Sequence, residues 1–124
     1  QFGELNYRTL RFESRIEKGD FQGNAVVNYT DAAIPYTRVA EHKHFAFSKA
    51  ENSWVTWEYP DAWAKDKIPY YPIHNDVNKA IYTKYETLAK EESNVLFGGR
   101  LAEYKYYDMH QVVGSAMKLA KSIL

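Results

Sequence analysis

The spacing of apolar side chains changes about two-thirds of the way along this 124-residue chain. Before Pro69, apolar and polar residues alternate in short runs, which is typical of strands with one solvated face. After Pro72, apolar residues recur every three or four positions, as they do on one side of a helix. The segment between them, Pro69-Tyr70-Tyr71-Pro72, cannot be helical. The chain is therefore predicted to be of α+β class, with an antiparallel sheet followed by helices.

The pattern also predicts individual elements. Four strands are expected, over residues 7–13, 25–29, 36–45 and 54–59. A helix capped by Asn75 or Asp76, a short apolar strand over 95–97 and a C-terminal helix capped by Asp108 should follow. No repeat or linker interrupts the pattern, so we expect one compact unit over 1–124, with a mainly β region (1–72) and a helix-strand-helix region (73–124).

Composition excludes several classes of function. Sixteen Lys and Arg balance sixteen Asp and Glu, which argues against a strongly basic nucleic-acid binder. The lack of cysteine excludes a disulfide scaffold and a thiolate metal site, and it fits a cytoplasmic protein. No apolar run approaches the roughly 18 residues of a membrane span. The chain begins at Gln1 with no signal-peptide pattern, so we interpret it as a part of a longer protein.

Tyrosine is unusually frequent, with eleven residues in the chain. Tyr70 and Tyr71 lie between two prolines, and Tyr104, Tyr106 and Tyr107 precede the final helix. Such phenols are either core or interface residues, or they line a cleft that uses flat surfaces with hydroxyl groups.

Charged residues beside these tyrosines suggest an anion site. Gly98-Gly99-Arg100 can approach a phosphate closely, or it can form a tight turn with a surface arginine. Arg38, inside a predicted strand, needs an anionic partner if it faces inward. Asp108 is first of all a helix cap, although a helix N-terminus also stabilises an electron-rich atom. The residues alone therefore indicate an anion-binding aromatic cleft.

A metal site is a weaker alternative. His42 and His44 would share one face of a predicted strand, and Glu41 and His110 could add ligands. The preferred interpretation is a solvated strand face, so no metal is predicted.

Several segments resemble prokaryotic UDP-galactopyranose mutases, in order and almost from end to end. They are residues 2–13, 21–30, 35–38, 41–43, 58–60, 69–72, 97–101 and 104–109. The resemblance covers only the C-terminal part of such an enzyme, without its dinucleotide-binding segment. It implies that 1–72 lies on the substrate side and that 73–124 completes the FAD-binding part.

The resemblance implies a flavoenzyme of cell-wall polysaccharide biosynthesis. The family interconverts UDP-galactopyranose and UDP-galactofuranose with reduced FAD, whose N5 acts as nucleophile at the anomeric carbon. We expect a homo-oligomeric parent enzyme with no nucleic-acid partner. The isolated chain is expected to lack FAD and activity. A non-catalytic nucleotide-sugar binding module, or an interaction domain, is the alternative.

Site residues follow from the matched positions. Arg38 resembles the family's essential arginine beside the flavin and the substrate pyrophosphate, where it can neutralise the leaving UDP. Tyr71 and Tyr106 resemble tyrosines that bind the pyrophosphate. Arg8 and Asn28 resemble further substrate neighbours.

Three residues match positions that contact FAD in the family. They are Arg100, Asp108 and Met109, with the N-terminus of the last helix directed at the flavin. The turn and cap interpretations of these residues hold beside this role.

Overall fold

The computed structural model describes all 124 residues and contains five strands and three helices. They are β1 (Tyr7–Lys18), β2 (Val26–Asn28), β3 (Arg38–Glu41), α1 (His42–Phe45), β4 (Asn52–Ala62), β5 (Tyr71–Pro72), α2 (Asp76–Ala89) and α3 (Met109–Ile123). The strands form an antiparallel sheet in the order β2-β3-β4-β1-β5, which confirms the α+β class. None of the helices has the length and apolar character needed to cross a membrane.

The chain divides into two compact units. One, here called the sheet unit, is Thr9–Lys67 and holds β2, β3, α1, β4 and most of β1. The other, here called the helical unit, combines Gln1–Arg8 with Ile68–Leu124 and holds β5, α2 and α3. The functional division at residue 72, made from the sequence, remains a prediction.

The core of the sheet unit lies on one face of β3 and β4. Val39 and Val55 are fully buried and Trp57 is almost so. Neighbouring residues of a strand point to opposite faces, and Arg38 pairs with Glu58 and with Asn28 across the ladders. These three polar residues therefore share the face opposite the core.

The third predicted strand is wrong at its C-terminal end. Residues 38–41 are extended, but His42–Phe45 form the short helix α1. The neighbouring strand β2 begins only at Val26, which pairs with Ala40, so the chain beyond Glu41 has no ladder partner on that side. Because residues two apart on a helix point in different directions, His42 and His44 do not share a face.

Two helix starts in the helical unit are confirmed. Asn75 caps α2, and its side-chain oxygen accepts a hydrogen bond from the Asn78 N–H at 2.8 Å. Asp108 is the N-cap of α3, and its N–H donates to Oε1 of Gln111 at 2.8 Å. Polar caps of this kind satisfy the N–H groups that a helix leaves unpaired.

The predicted strand over 95–97 is absent. Residues Val95, Leu96 and Phe97 have no regular structure, and their side chains are about half exposed. No strand of this chain pairs with them. A short apolar run fits several structures equally well, and it becomes a strand only where its N–H and C=O groups have a partner.

Candidate functional site

Arg38 is held at one end of its guanidinium. Its Nε donates to Oδ1 of Asn28 at 2.9 Å, and Nη1 lies 3.6 Å from Oε2 of Glu58. Both partners are brought there by the strand register, from β2 on one side and β4 on the other. The longer distance is an ion pair without a hydrogen bond. The Arg38 side chain is 44% exposed, so it retains N–H groups for an external anion.

A second cluster lies in the helical unit around Arg100. The guanidinium carbon of Arg100 lies 4.5 Å from the ring centre of Tyr106 and 5.2 Å from that of Tyr71. The two tyrosine rings are themselves 5.4 Å apart. Cation–π contacts of this length orient an arginine but do not satisfy its N–H groups. We call Arg100, Tyr71 and Tyr106 the Arg–Tyr cluster.

The hydrogen-bonding capacity of Arg100 is incomplete. Its Nε and Nη2 atoms are buried and have no hydrogen-bond partner. Buried polar groups in proteins are nearly always paired, because an unsatisfied one costs free energy. Two unpaired donors of a permanent cation therefore fit an oxygen of a ligand.

The loop that carries Arg100 is held by Glu103. The Glu103 carboxylate accepts hydrogen bonds from the Gly99 N–H and from the hydroxyls of Tyr107 and Ser115. Burial raises the pKa of Glu103, but these hydrogen bonds outweigh it and lower the pKa below its ordinary value. The carboxylate thus stays ionised and ties the loop to α3.

Arg8 and the start of α3 are accessible. Arg8 is exposed and lies opposite Tyr71 in the β1–β5 register, with its carbonyl accepting the Tyr70 N–H at 3.1 Å. Asp108 is exposed, and Met109 is 88% exposed. The first N–H groups of α3 have no partner within the helix and carry partial positive charge.

The predicted site residues therefore fall into two groups. Arg38 and Asn28 are in direct contact within the sheet unit. The helical unit holds the other six, namely Arg8, Tyr71, Arg100, Tyr106, Asp108 and Met109. Within that unit the structure brings Arg100, Tyr71 and Tyr106 together.

Sequence reasoning missed the residues that support these groups. Glu58 lies twenty positions after Arg38, and only the strand register makes them neighbours. Glu103 carries no motif. The sequence marks Tyr104 only as one of three phenols before the last helix, and it does not predict the positive backbone φ of 49° at this residue. Short sequence patterns contain neither kind of information.

Of the residues considered as a weak alternative metal site, Glu41 and His44 lie close together, whereas His42 lies apart from them. His44 Nε2 lies 3.0 Å from Oδ1 of Asp20 and 3.4 Å from Oε2 of Glu41. The His42 ring instead contacts the Thr56 hydroxyl at 2.9 Å, because α1 turns it away. His44 thus lies between two carboxylates, and the potential ligand atoms of Asp20, Glu41 and His44 all lie within 4.8 Å of one another.

Known proteins match this chain over nearly its whole length. The family model of UDP-galactopyranose mutase matches residues 1–106. A probable UDP-galactopyranose mutase of Klebsiella pneumoniae is 44% identical over 125 residues, which cover 100% of this chain and 33% of that relative. The dTDP-fucopyranose mutase of Escherichia coli is 43% identical over 98% of this chain and 33% of its own length. The UDP-galactopyranose mutase of Mycoplasma genitalium is 34% identical over 99% of the chain and 32% of its own length.

The matches cover nearly all of this chain but only part of each relative. The chain spans about a third of the length of the curated relatives that it matches. The family model nevertheless covers far more than half of the chain. The chain therefore belongs to the UDP-galactopyranose mutase family.

Proposed function

We propose that this chain is part of an enzyme that interconverts UDP-galactopyranose and UDP-galactofuranose with reduced FAD. The observation that carries the proposal is the Arg–Tyr cluster, in which two buried nitrogens of Arg100 have no partner. Membership of the family supplies the reaction, and the cluster supplies a place where a phosphate-bearing molecule fits.

The residues assigned to FAD fit an electron-rich cofactor. Arg100 offers unpaired donors, and the exposed N-terminus of α3 at Asp108 and Met109 offers the positive end of a helix dipole. When it is bound, reduced flavin supplies a nucleophile for the anomeric carbon. The proposed task of these three residues is to hold and orient that ring system.

Arg38 is proposed to stabilise the charge that develops on the departing nucleotide. Departure of UDP places a full negative charge on the pyrophosphate, and a fixed cation lowers the energy of that state. Asn28 and Glu58 anchor the guanidinium in advance, so less reorganisation accompanies the reaction. Asn28 would thus contribute partly through Arg38, in addition to any contact with the substrate.

Tyr71 and Tyr106 are proposed to donate hydrogen bonds to pyrophosphate oxygens. Their rings lie side by side, so their positions are fixed relative to one another. Arg8, opposite Tyr71 in the strand pair, adds a positive charge near the same phosphates. A cytoplasmic location, a homo-oligomeric parent and a role in cell-wall polysaccharide synthesis remain predictions.

A second substrate is favoured by a specific observation. The relative named dTDP-fucopyranose mutase is 43% identical to this chain, nearly the same as the 44% of the Klebsiella protein. The residues proposed here address a pyrophosphate, which both sugar nucleotides contain. They do not distinguish uridine from thymidine or galactose from fucose, so dTDP-fucopyranose is the alternative substrate.

The proposal is tested in the complete enzyme that contains this chain. The enzyme, reduced with dithionite, is incubated with UDP-galactofuranose or, in a separate reaction, with dTDP-fucopyranose. The products are then separated by chromatography. We expect conversion of the UDP-sugar; conversion of the dTDP-sugar alone would support the second candidate. Conversion of neither would contradict the proposed function.

Two hydroxyl deletions test the tyrosines. Tyr71→Phe and Tyr106→Phe should each weaken UDP binding by roughly 1.5–3 kcal/mol, because each removes a donor to a charged group. Tyr29→Phe, in the core of the sheet unit, is the matched control. Calorimetric titration that gave the same UDP affinity for all three variants and the parent would remove both tyrosines from the site.

A further inference from the structure

We infer that Tyr104 is a positioning residue, whose hydroxyl fixes the position of Tyr106 relative to Arg8 and Tyr71. The inference rests on the proposed function, because it concerns how that binding site is kept in shape. The sequence identified Tyr104 only as one of the phenols before the last helix, and the family resemblance assigns it no role. It is only 4% exposed, so it does not itself face a ligand.

The Tyr104 hydroxyl contacts two backbone segments, the one before β1 and the one after β5. It donates to the carbonyl oxygen of Asn6, 2.5 Å away, and it accepts the Ile73 N–H at 3.2 Å. The Ile73 carbonyl oxygen is also within 3.1 Å. The Ile73 N–H also donates directly to the Asn6 carbonyl at 3.1 Å, so these two segments are already paired. The Tyr104 hydroxyl therefore fastens its own segment to that pair.

Each residue in these contacts lies two positions along the sequence from a proposed site residue. Asn6 precedes Arg8 by two positions, and Ile73 follows Tyr71 by two. Tyr104 itself precedes Tyr106 by two positions. Since Arg8 and Tyr71 are paired in the β1–β5 register, a shift of either segment would move both side chains. The single hydroxyl therefore links all three residues.

The backbone at Tyr104 is also unusual. Its φ of 49° lies in the left-handed region, which a residue with a large side chain rarely adopts. The ring is held by edge contacts with Tyr7, at 5.4 Å between centres, and by stacking on Tyr82 at 5.7 Å. Strained conformations persist where the surroundings enforce them, and they cluster at functional sites. Here the turn brings Tyr106 beside Tyr71.

Asn78 also joins these two segments, independently of Tyr104. The buried Asn78 side chain accepts the Asn6 N–H at 3.1 Å and donates to the Ile73 carbonyl at 3.0 Å. Removing only the Tyr104 hydroxyl therefore leaves the ring packing and the Asn78 contacts in place. We expect such a variant to fold, while the spacing of the site residues becomes less exact.

The test uses Tyr104→Phe in the complete enzyme. We expect the dissociation constant of UDP to rise about tenfold, the effect of roughly one lost hydrogen bond expressed through the site. Tyr82→Phe is the matched control, because its ring stacks on Tyr104 but its hydroxyl holds neither segment. Val55→Ala, in the sheet-unit core, lowers stability by cavity formation without touching these segments. Both controls should retain the UDP affinity of the parent. Titrations are made at 10 °C, and circular dichroism at that temperature verifies that each variant is folded.

A double-mutant cycle separates positioning from general destabilisation. If Tyr104 acts through Tyr71, then Tyr104→Phe should add less than its full tenfold effect once Tyr71→Phe is present. Fully multiplicative effects, or a Tyr104→Phe affinity equal to that of the parent, would overturn the inference. Loss of affinity in Val55→Ala to the same degree would also overturn it. If Tyr71→Phe itself left the affinity unchanged, the assignment of the pyrophosphate site would fail instead.

Discussion

At the scale of single residues, Arg38 illustrates how neighbouring side chains fix the position of a charged group. The neutral amide oxygen of Asn28 accepts a hydrogen bond from Nε, and a carboxylate oxygen of Glu58 lies at ion-pair distance from Nη1. Because the carboxylate is not in fork geometry with the guanidinium, the pairing leaves donors available. An arginine that is fixed and still partly exposed is suited to a ligand anion.

Replacement of Arg38 should therefore affect turnover much more than folding. In the complete enzyme, Arg38→Ala should lower kcat by a factor on the order of 100 to 1,000, equivalent to about 2.7–4 kcal/mol. Arg11→Ala is the control, since Arg11 stacks on Tyr59 and pairs with Glu13. The measurement is steady-state conversion of UDP-galactofuranose, with circular dichroism to verify the fold. Turnover of Arg38→Ala within threefold of the parent would refute the role given to this residue.

At the scale of elements, the sequence correctly predicted the features that depend only on residues adjacent in the chain. The caps at Asn75 and Asp108 depend on one side chain and the next turn, and both are confirmed. The strand predicted through residues 42–45 and the one over 95–97 depended on partners elsewhere in the chain. Alternation and apolar character do not reveal whether such a partner exists. The errors therefore fall where long-range pairing decides the structure.

Glu41, at the end of β3, holds the preceding loop in a pH-dependent way. Its carboxylate is fully buried and accepts the N–H groups of Phe21 and Gln22 at 3.0 and 2.8 Å. Burial alone would raise the pKa of Glu41, but these hydrogen bonds outweigh it and lower the pKa from 4.5 to about 2. The folded state therefore favours the ionised form.

This shift predicts a loss of stability in acid. The stabilisation from Glu41 is complete above the unfolded-state pKa of 4.5 and is lost as the pH falls through about 2. Its full size is about 3 kcal/mol. Thermal unfolding of the chain at pH 7, 4.5 and 3 should give Glu41→Gln a lower midpoint at pH 7 and a smaller loss toward pH 3. The exposed Glu51→Gln should behave like the parent. A Glu41→Gln curve parallel to that of the parent would contradict the assignment.

At the scale of the whole molecule, fold class and site roles were predicted by different means. The period of the apolar pattern was enough for an α+β chain with an antiparallel sheet. The roles of Arg38, Tyr71 and Arg100 came from resemblance, because the residues alone indicated only an anion-binding aromatic cleft. The contacts of supporting residues such as Glu103 and Tyr104 follow from no local pattern, since they join residues 12 and 98 positions apart in the sequence.

The helical unit exposes a large apolar surface for a chain of this size. Met109, Val113 and Met117 form a stripe along α3, and each is more than half exposed. In the same unit a cavity of about 710 Å³ lies between α2, the 92–97 segment and Leu119 of α3. Leu96 and Phe97 line it and are also more than half exposed. Apolar surface of this extent is usually covered in a stable protein.

The isolated chain should consequently self-associate and should bind no flavin. The FAD contacts proposed for it are only Arg100 and the start of α3, and the chain has no glycine-rich turn for the rest of a dinucleotide. So few contacts do not offset the cost of immobilising a large, flexible ligand. Size-exclusion chromatography with light scattering should give a mass above that of a 124-residue monomer, and the protein should stay colourless after incubation with FAD. The double variant Val113→Gln with Met117→Gln should shift the chain toward monomer, whereas Lys118→Gln on the same helix should not. A monomeric parent chain would contradict the association, and stoichiometric flavin or measurable turnover would contradict the expectation that this chain alone is inactive.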